Sequence, residues 1–212
     1  MSDFALGKLA LVCRWRLANR RLPLENRHLR ALGTRTINGE AVPAELVAWA
    51  KQHIEWMLDE GARSHPDGVL MLAVDEEGRA AMTVGDYRPL GHTTANDLVR
   101  RAQGGRIEAL KTGVSPEDLW VVRGDALVWA TTTDLKPSAA STLVDDLART
   151  LGMPVRRDDD LLAQCLVQGI DASEVFLVSD EHGVVPASDR SGMRAQKFCT
   201  SYLKLLRSKR SK

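Results

Sequence analysis

Arginine and lysine side chains crowd two stretches of this 212-residue chain, and they are the first residues whose chemistry suggests a ligand. The clusters consist of Arg14, Arg16, Arg20, Arg21, Arg27, Arg30 and Arg35 near the start, and of Lys204, Arg207, Lys209, Arg210 and Lys212 at the end. Closely spaced cations can hold phosphate groups, so a basic phosphate- or nucleic-acid-binding module is one hypothesis. No aromatic residues alternate with the terminal run as base stacking requires, which argues against nucleic acid as a partner.

The three cysteines do not form a recognisable chemical motif. Cys13, Cys165 and Cys199 are odd in number, far apart, and without a second Cys or a His at metal-binding spacing. We therefore expect no metal site, and we expect these thiols to be reduced and buried as small apolar side chains.

The composition is that of a compact globular protein, with 44% hydrophobic residues, 27% charged residues and a net charge of +1. The longest apolar runs, such as residues 69–74, are too short to cross a membrane. No charged segment followed by an apolar stretch opens the chain. These features predict a cytoplasmic protein without a membrane partner.

The first half of the chain is predicted to be strands packed with a helix. Residues 9–13 have the length and apolarity of a strand, and a polar turn at 19–21 predicts a hairpin with residues 22–24. Pro43 and the apolar repeat that follows it predict an amphipathic helix ending near Gly61. A second hairpin is predicted for residues 69–84.

The second half is predicted to begin near residue 91 with a helix over 97–111, apart from Gly104-Gly105. Strands at 119–122 and 126–131, and at 174–178, alternate with helices over 160–169 and 195–206. A further helix, capped by Ser141 or Thr142, should end at Gly152. The sequence thus predicts an α+β fold of two domains, an N-terminal α+β domain over 1–90 and a C-terminal domain over 91–212.

Several short motifs occur in an order that resembles one known family. They are Glu108-Ala109 before Gly113, the threonine-rich block 128–135, the helix end at Gly152, the late strand pair 173–186, and, in the first half, the segments 4–12 and 22–32. Their order is similar to that of the class IV aminotransferases and aminodeoxychorismate lyases, the fold-type IV enzymes that depend on pyridoxal phosphate. The resemblance implies a D-amino-acid aminotransferase-like architecture, pyridoxal phosphate as the cofactor, and a homodimer.

The family's cofactor chemistry needs a lysine that bonds covalently to pyridoxal phosphate. By the resemblance, this lysine would fall near His92, Thr93 and Ala95, yet no lysine occurs between Lys51 and Lys111. Lys136 and Lys111 are the candidates for a relocated lysine, and His92 could act as a base or ligand near the position that lacks the lysine. The acid that pairs with the pyridine nitrogen falls on Trp129, whose indole can only donate a hydrogen bond.

The resemblance also locates the groups that would bind the cofactor phosphate. The family's glycine-containing helix start corresponds to residues 139–142, and its threonine turn corresponds to 178–180, where Asp180 would repel a phosphate. The phosphate arginine is Arg30 in an ungapped alignment, but Ala31 if His28 is matched to the family histidine, and both alternatives stay open. The remaining candidate cofactor-binding residues are Thr131, Thr132, Thr133 and Asp134.

Two further hypotheses follow from the resemblance. The leading one is a degenerate member without ordinary transaminase or lyase activity, which keeps the scaffold and a groove between its halves for a small ligand or a partner. The alternative is an active aminotransferase or aminodeoxychorismate lyase whose lysine is Lys111 or Lys136.

Overall fold

The computed structural model describes residues 5–207 and confirms the predicted α+β class. Phe4, Lys209, Arg210 and Lys212, which entered the sequence predictions, lie outside this range. The first half consists of β1 (Leu9–Arg16), α1 (Glu25–Leu32), β2 (Thr36–Ile37), β3 (Glu40–Ala41), α2 (Ala44–Asp59), β4 (Val69–Asp75) and β5 (Ala80–Gly85).

A three-stranded antiparallel sheet in the order β1-β4-β5 organises this first half. The side chains of Leu11, Cys13 and Trp15 alternate along β1 and are buried on one face, as period-two patterning requires. They pack in a core that includes Leu46 and Ile54 of the amphipathic helix α2. The helix and the β4-β5 hairpin predicted here are therefore confirmed.

The first predicted hairpin is wrong, because β1 pairs along its length with β4 and residues 22–24 form no strand. Ala18 and Arg21 form only an isolated bridge across the turn, and Leu24 then adopts a left-handed φ of 61° immediately before α1. The turn signal at 19–21 was local, whereas the backbone groups of an eight-residue strand need a partner of comparable length. Only the tertiary arrangement supplies β4 as that partner.

The second half consists of α3 (Ala95–Thr112), β6 (Glu117–Arg123), β7 (Ala126–Trp129), α4 (Ala139–Thr150), β8 (Val155–Arg157), α5 (Leu161–Val167), β9 (Glu174–Ser179), β10 (Gly183–Pro186) and α6 (Met193–Arg207). Its five-stranded sheet has the order β10-β9-β6-β7-β8, in which only the β7-β8 pair is parallel. One core cluster packs against α3 and α5, and another packs against α4 and α6.

Two helices in this half differ from their predicted limits. α3 runs without a break through Gly104 and Gly105. Gly105 lies so close to β6 that an added Cβ would be 2.8 Å from the Glu117 carbonyl oxygen, so the close packing requires a glycine there. α4 begins earlier than predicted, because Ser138 is its N-cap and its Oγ accepts the Ser141 N–H at 3.1 Å. The hydroxyl of Ser141 is thereby free for the tertiary contact described below.

The two halves meet where β1 and α3 approach the end of β9. The backbone N–H of Arg16 in β1 donates to the Asp180 carbonyl at 3.1 Å, immediately after β9. The first core cluster draws on residues 11–84, and the other two draw on residues from 90 onward apart from Leu24. Within residues 5–207, no helix is both long enough and apolar enough to cross a membrane.

Candidate functional site

A cavity of about 280 Å³, called here the central cavity, opens where β1, α3 and the end of β9 meet. Its lining residues are Val12, Arg14, Arg35, Arg101, Gly104, Gly105, Glu108, Pro116, Glu117, Ser179, Asp180 and Glu181. The lining is therefore dominated by charged side chains of both signs, contributed by both halves of the chain.

Arg101 and Glu117 form the best-defined ion pair of the central cavity. Nη2 of Arg101 lies 2.6 Å from Oε1 of Glu117, and Nε donates to the same oxygen at 2.8 Å. Arg101 Nη2 also lies 3.0 Å from Nε2 of His182, and burial, together with the nearby arginines, lowers the pKa of His182 to about 4. The imidazole is therefore neutral near pH 7 and can accept this hydrogen bond.

Arg35 is the least satisfied charged group in the central cavity. Its side chain is 3% exposed, and its Nε and Nη1 atoms have no hydrogen-bond partner. The nearest carboxylate oxygen, Oε1 of Glu108, is 3.9 Å from Nη1 and also lacks a partner. Buried polar groups in proteins are almost always hydrogen-bonded, so the Nε and Nη1 atoms of Arg35 are exceptions among the described residues.

The two segments that the resemblance assigned to the phosphate come together, and a side chain of the protein lies between them. Asp180 Oδ1 accepts the Ala140 N–H in the first turn of α4 at 2.7 Å, and Oδ2 lies 3.5 Å from His28 Nδ1. Burial would raise the pKa of Asp180, but His28, the Ala140 N–H and Arg35 together hold it below its ordinary value. An ionised carboxylate thus occupies the positive end of the α4 dipole.

A second buried carboxylate lies one strand away. Asp118 of β6 accepts a hydrogen bond from Ser141 Oγ at 2.5 Å, and burial raises its pKa to about 6 despite that bond. Trp129, which the resemblance matched to the family's pyridine-pairing acid, is buried with its ring stacked on Trp120 at a centroid distance of 4.7 Å. The Trp129 side chain is therefore part of the core and does not line the central cavity.

The residues to which the resemblance assigned the missing lysine lie at the start of α3. His92 is exposed, the Thr93 carbonyl accepts the Ser188 N–H at 2.8 Å, and the Ala95 N–H donates to Asp189 Oδ1 at 2.7 Å. None of His92, Thr93 and Ala95 is among the residues that line the central cavity.

The two candidate lysines are both exposed and lie in different places. Lys111 lines a neighbouring cavity of about 310 Å³ that shares Val12, Arg14 and Glu108 with the central cavity. Lys136 lines a separate cavity of about 210 Å³ beside the start of α4. Neither lysine lines the central cavity itself.

The other predicted cofactor residues are dispersed. Arg30 is exposed, its Nε donates to the Asn26 carbonyl, and it shares the cavity of Lys136 with Ala31. Thr132 Oγ1 accepts the N–H groups of Asp134 and Leu135, so the threonine block forms a local turn. In that turn Thr131 is buried while Thr133 and Asp134 are exposed. None of these residues lines the central cavity.

Members of the N-terminal arginine cluster have different partners, while Arg21, Arg27 and Arg30 together line one cavity. The Arg16 guanidinium carbon lies 3.2 Å from the centroid of the Tyr87 ring, Arg27 pairs with Asp146 at 2.6 Å, and Arg20 donates to the Asp59 carbonyl. Within residues 5–207, no group of three or more His, Cys, Asp or Glu side chains is placed to hold a metal ion.

Sequence reasoning missed Asp118, Arg101 and the unpaired state of Arg35. Asp118 left one visible signal, an acidic residue directly before the apolar run of β6. The pairing state of Arg35 left no signal in the sequence, because it depends on distances between elements that are far apart in the chain.

Comparison with known proteins identifies the fold. No family model and no curated protein matches this sequence. Among solved structures, the pyridoxal phosphate-bound form of a hypothetical aminotransferase from Mycobacterium tuberculosis is 11% identical, with a TM-score of 0.63 over 97% of this chain and 93% of that one. The 4-amino-4-deoxychorismate lyase of Pseudomonas aeruginosa is 14% identical, with a TM-score of 0.57 over 95% and 94% of the two chains.

A fold IV transaminase from Curtobacterium pusillum gives a TM-score of 0.59 at 12% identity, over 95% of this chain and 87% of that one. These likenesses extend over almost the whole chain, although the sequence identities are only 11–14%. The chain therefore has the fold that these aminotransferases and aminodeoxychorismate lyases share, which is the fold that its short motifs predicted.

Proposed function

We propose that this chain is a fold IV relative that does not carry out pyridoxal phosphate chemistry and instead binds a small molecule in the central cavity. The observation that carries the proposal is the position of Asp180, whose carboxylate accepts the Ala140 N–H in the first turn of α4. This is the helix start that, by the resemblance, would receive the cofactor phosphate. Asp180 therefore replaces the phosphate with an anion that is part of the chain.

The residues around α4 do not fit the cofactor phosphate. The pKa of Asp180 is held below its ordinary value, so the side chain is ionised at neutral pH. Two unit charges about 4 Å apart repel each other by about 4 kcal/mol at the effective dielectric constant of a partly solvated site. A doubly charged phosphate would have to displace this carboxylate or accept that repulsion.

The groups that would activate the cofactor ring do not fit either. Covalent attachment needs a lysine amine, and none of the lysines within residues 5–207 lines the central cavity. Protonation of the pyridine nitrogen needs an acid, whereas Trp129 can only donate its indole hydrogen and is stacked in the core. When bound, pyridoxal phosphate withdraws electrons from a substrate, and the residues here would not support that chemistry.

The central cavity itself supports the binding of a ligand. It joins the two halves of the chain, and its lining includes Arg35 and Glu108, each of which has buried polar atoms without a hydrogen-bond partner. Ligand sites in proteins are commonly clefts between structural units, with a few polar groups directed into them. Its volume of about 280 Å³ is at the small end of such sites, which favours a small metabolite over a nucleotide.

The direct test is an absorption spectrum of the purified full chain after incubation with pyridoxal phosphate and desalting. Lys111→Ala and Lys136→Ala are measured in parallel, each with and without borohydride reduction. We expect no retained band in the visible region and no adduct on either lysine by mass spectrometry. A band that one of the two substitutions abolishes would contradict the proposal and identify an active enzyme.

If that alternative holds, the structure offers a reason for each lysine. The cavity of Lys111 adjoins the central cavity, whereas Lys136 lines the cavity at the start of α4 together with Arg30. Both substitutions are therefore needed to test the enzyme hypothesis.

We also propose that two copies of the chain associate. Leu9 of β1 and Ile107 and Leu110 of α3 are large apolar side chains that are mostly exposed, and Leu9 and Ile107 line the cavity of Lys111 together. Contiguous exposed apolar groups commonly mark an interface. Light scattering should report a dimer that Leu110→Glu converts to a monomer, and a monomeric unsubstituted chain would contradict this part of the proposal.

A further inference from the structure

We propose that a groove between α1 and the end of α6 binds an acidic, leucine-containing segment of a partner protein. This surface, called here the α1–α6 groove, has a volume of about 560 Å³, against about 280 Å³ for the central cavity. The two share no lining residue. The inference therefore goes beyond the proposed function and does not depend on it.

The floor of the α1–α6 groove is apolar. Five leucines line it, namely Leu22, Leu24, Leu58, Leu205 and Leu206. They come from the turn before α1, from the last turn of α2 and from the last turns of α6, so elements remote in the chain build one surface. Leu22 is 6% exposed and Leu205 is 37% exposed, so the floor extends from buried to partly hydrated side chains. A partner that covers it would remove apolar surface from water.

Three arginines line the same groove, and their charge is largely unbalanced. Arg21 and Arg30 are exposed, and neither forms an ion pair with any residue in the described range 5–207. Arg27 pairs with Asp146 at 2.6 Å. Glu25 supplies the one carboxylate among the described residues of the lining. The α1–α6 groove therefore combines an apolar floor with a surplus of positive charge.

This positive surface continues beyond the groove. Arg27 and Arg30 also line the cavity of about 210 Å³ that contains Lys136, and none of the described residues in that lining is acidic. The lining of the central cavity differs, because it has four carboxylates against three arginines. Unbalanced positive charge is thus a property of the α1 surface and not of every cavity in the chain.

The arrangement of these groups selects the class of partner. Cations both before α1, at Arg21, and before α4, at Lys136, favour several negative charges spread along a polymer over a single anionic group. A nucleic acid carries such charges, but the described lining of the groove has no aromatic ring on which a base could stack. An acidic peptide that also carries leucines complements both the charge and the floor.

The end of the chain itself does not have this chemistry. The residues that follow Arg207 in the sequence include Lys209, Arg210 and Lys212 and no acidic residue. Like charges would oppose their binding beside Arg21 and Arg30. The acidic segment is therefore expected to come from another protein.

The probe is a short synthetic peptide of glutamate and leucine, labelled with fluorescein and titrated with the full chain by fluorescence anisotropy. In one comparison peptide lysine replaces glutamate, and in the other serine replaces leucine. We expect saturable binding of the acidic leucine peptide, no binding of the lysine peptide, and about tenfold weaker binding of the serine peptide because it leaves the floor uncovered. Added sodium chloride should weaken binding, since exposed charges are screened.

NMR of the ¹⁵N-labelled chain locates the bound peptide. The backbone amides of Leu24, Asn26 and Leu206 in the groove should shift with the acidic leucine peptide. Those of Gly104 and Gly105, which line the central cavity, should not. Shifts confined to the central cavity would overturn the inference.

Two substitutions test the charge and the floor, each with a matched control. Arg30→Glu should weaken binding about tenfold, whereas Arg100→Glu, at an exposed position of α3 outside the groove, should leave the affinity unchanged. Leu205→Ser should weaken binding about fivefold, whereas Leu203→Ser should not, because Leu203 is 43% exposed on the same helix but does not line the groove. All four positions are exposed, so the variants should fold, and circular dichroism checks this.

The same titrations show what would overturn the inference. Equal effects of Arg30→Glu and Arg100→Glu would remove the groove as the binding site, and equal affinity for the serine peptide would remove the leucine floor. Anionic phosphatidylglycerol vesicles and a single-stranded oligonucleotide are tested in parallel. If either binds in an Arg30-dependent way while the acidic leucine peptide does not, the surface belongs to a membrane or a nucleic acid. No saturable binding of the peptide rejects the proposal, while the pyridoxal phosphate spectrum decides the proposed function separately.

Discussion

The contact between Asp180 and α4 gives the sharpest prediction, because the chain contains a matched control. Asp180 accepts the Ala140 N–H at 2.7 Å and is buried, whereas Asp189 accepts the Ala95 N–H of α3 at 2.7 Å and is exposed. Both carboxylates therefore accept a first-turn N–H of a helix at the same distance. They differ in burial and in the charges that surround them.

Asp180→Ala should lower the free energy of unfolding by about 2–3 kcal/mol at neutral pH, because it leaves a buried hydrogen-bond donor without its acceptor. The substitution leaves the Ala140 N–H without an acceptor and removes a carboxylate that lies 3.5 Å from His28 Nδ1 and interacts with the charge of Arg35. Asp189→Ala removes an exposed cap and should lower it by about 1 kcal/mol. Asp180→Asn keeps an acceptor oxygen, so its loss should lie between these values.

The pH dependence of this difference follows from the pKa of Asp180. Because that pKa is lowered in the folded state, the stabilising effect is present above the unfolded value near 4 and is lost as the pH falls through the folded value. Urea unfolding of the three variants and the unsubstituted chain, at neutral and acidic pH, measures it. The difference between Asp180→Ala and the unsubstituted chain should shrink in acid.

Inorganic phosphate provides a chemical rescue in the same assay. If Asp180 occupies the phosphate position, phosphate at about tenfold above its dissociation constant should stabilise Asp180→Ala by about 1.4 kcal/mol, and the unsubstituted chain should not respond. The reasoning is refuted if Asp180→Ala loses no more stability than Asp189→Ala. It is also refuted if phosphate stabilises the unsubstituted chain and the variant equally.

Two further predictions concern α3 and β6. Burial raises the pKa of Asp118 from 3.8 to about 6, so stability that is present below pH about 4 is lost as the pH rises to about 6. Relative to the unsubstituted chain, Asp118→Asn should therefore gain about 3 kcal/mol in urea unfolding between acidic and neutral pH, and an unchanged difference would contradict the assigned burial. Gly105→Ala should destabilise the protein by about 2 kcal/mol because its Cβ would lie 2.8 Å from the Glu117 carbonyl oxygen. Gly104→Ala, which meets no atom within 4 Å, should stabilise α3 by up to about 1 kcal/mol in thermal unfolding, and equal effects of the two changes would contradict this packing.

Much of the fold was predictable because its signals are local. The apolar repeat of α2, the two-residue turn between β6 and β7, and the stop of α4 at Gly152 all follow from neighbouring residues. The sequence predictions failed where an element distant in the chain determined the local structure or the strand pairing. β1 pairs with β4 and not with the residues that follow it, and the glycine at position 105 of α3 packs closely against β6.

The absence of a lysine between Lys51 and Lys111 is a property of the sequence alone and required no coordinates to recognise. The tertiary structure alone decided that Asp180 reaches the first turn of α4 and that Arg35 is buried without an acceptor. Pairing of charges depends on distances of a few ångströms between elements that are remote in the chain, and residue order does not encode such distances locally. The chemistry of this site therefore became visible only when β1, α3, α4 and β9 were brought together.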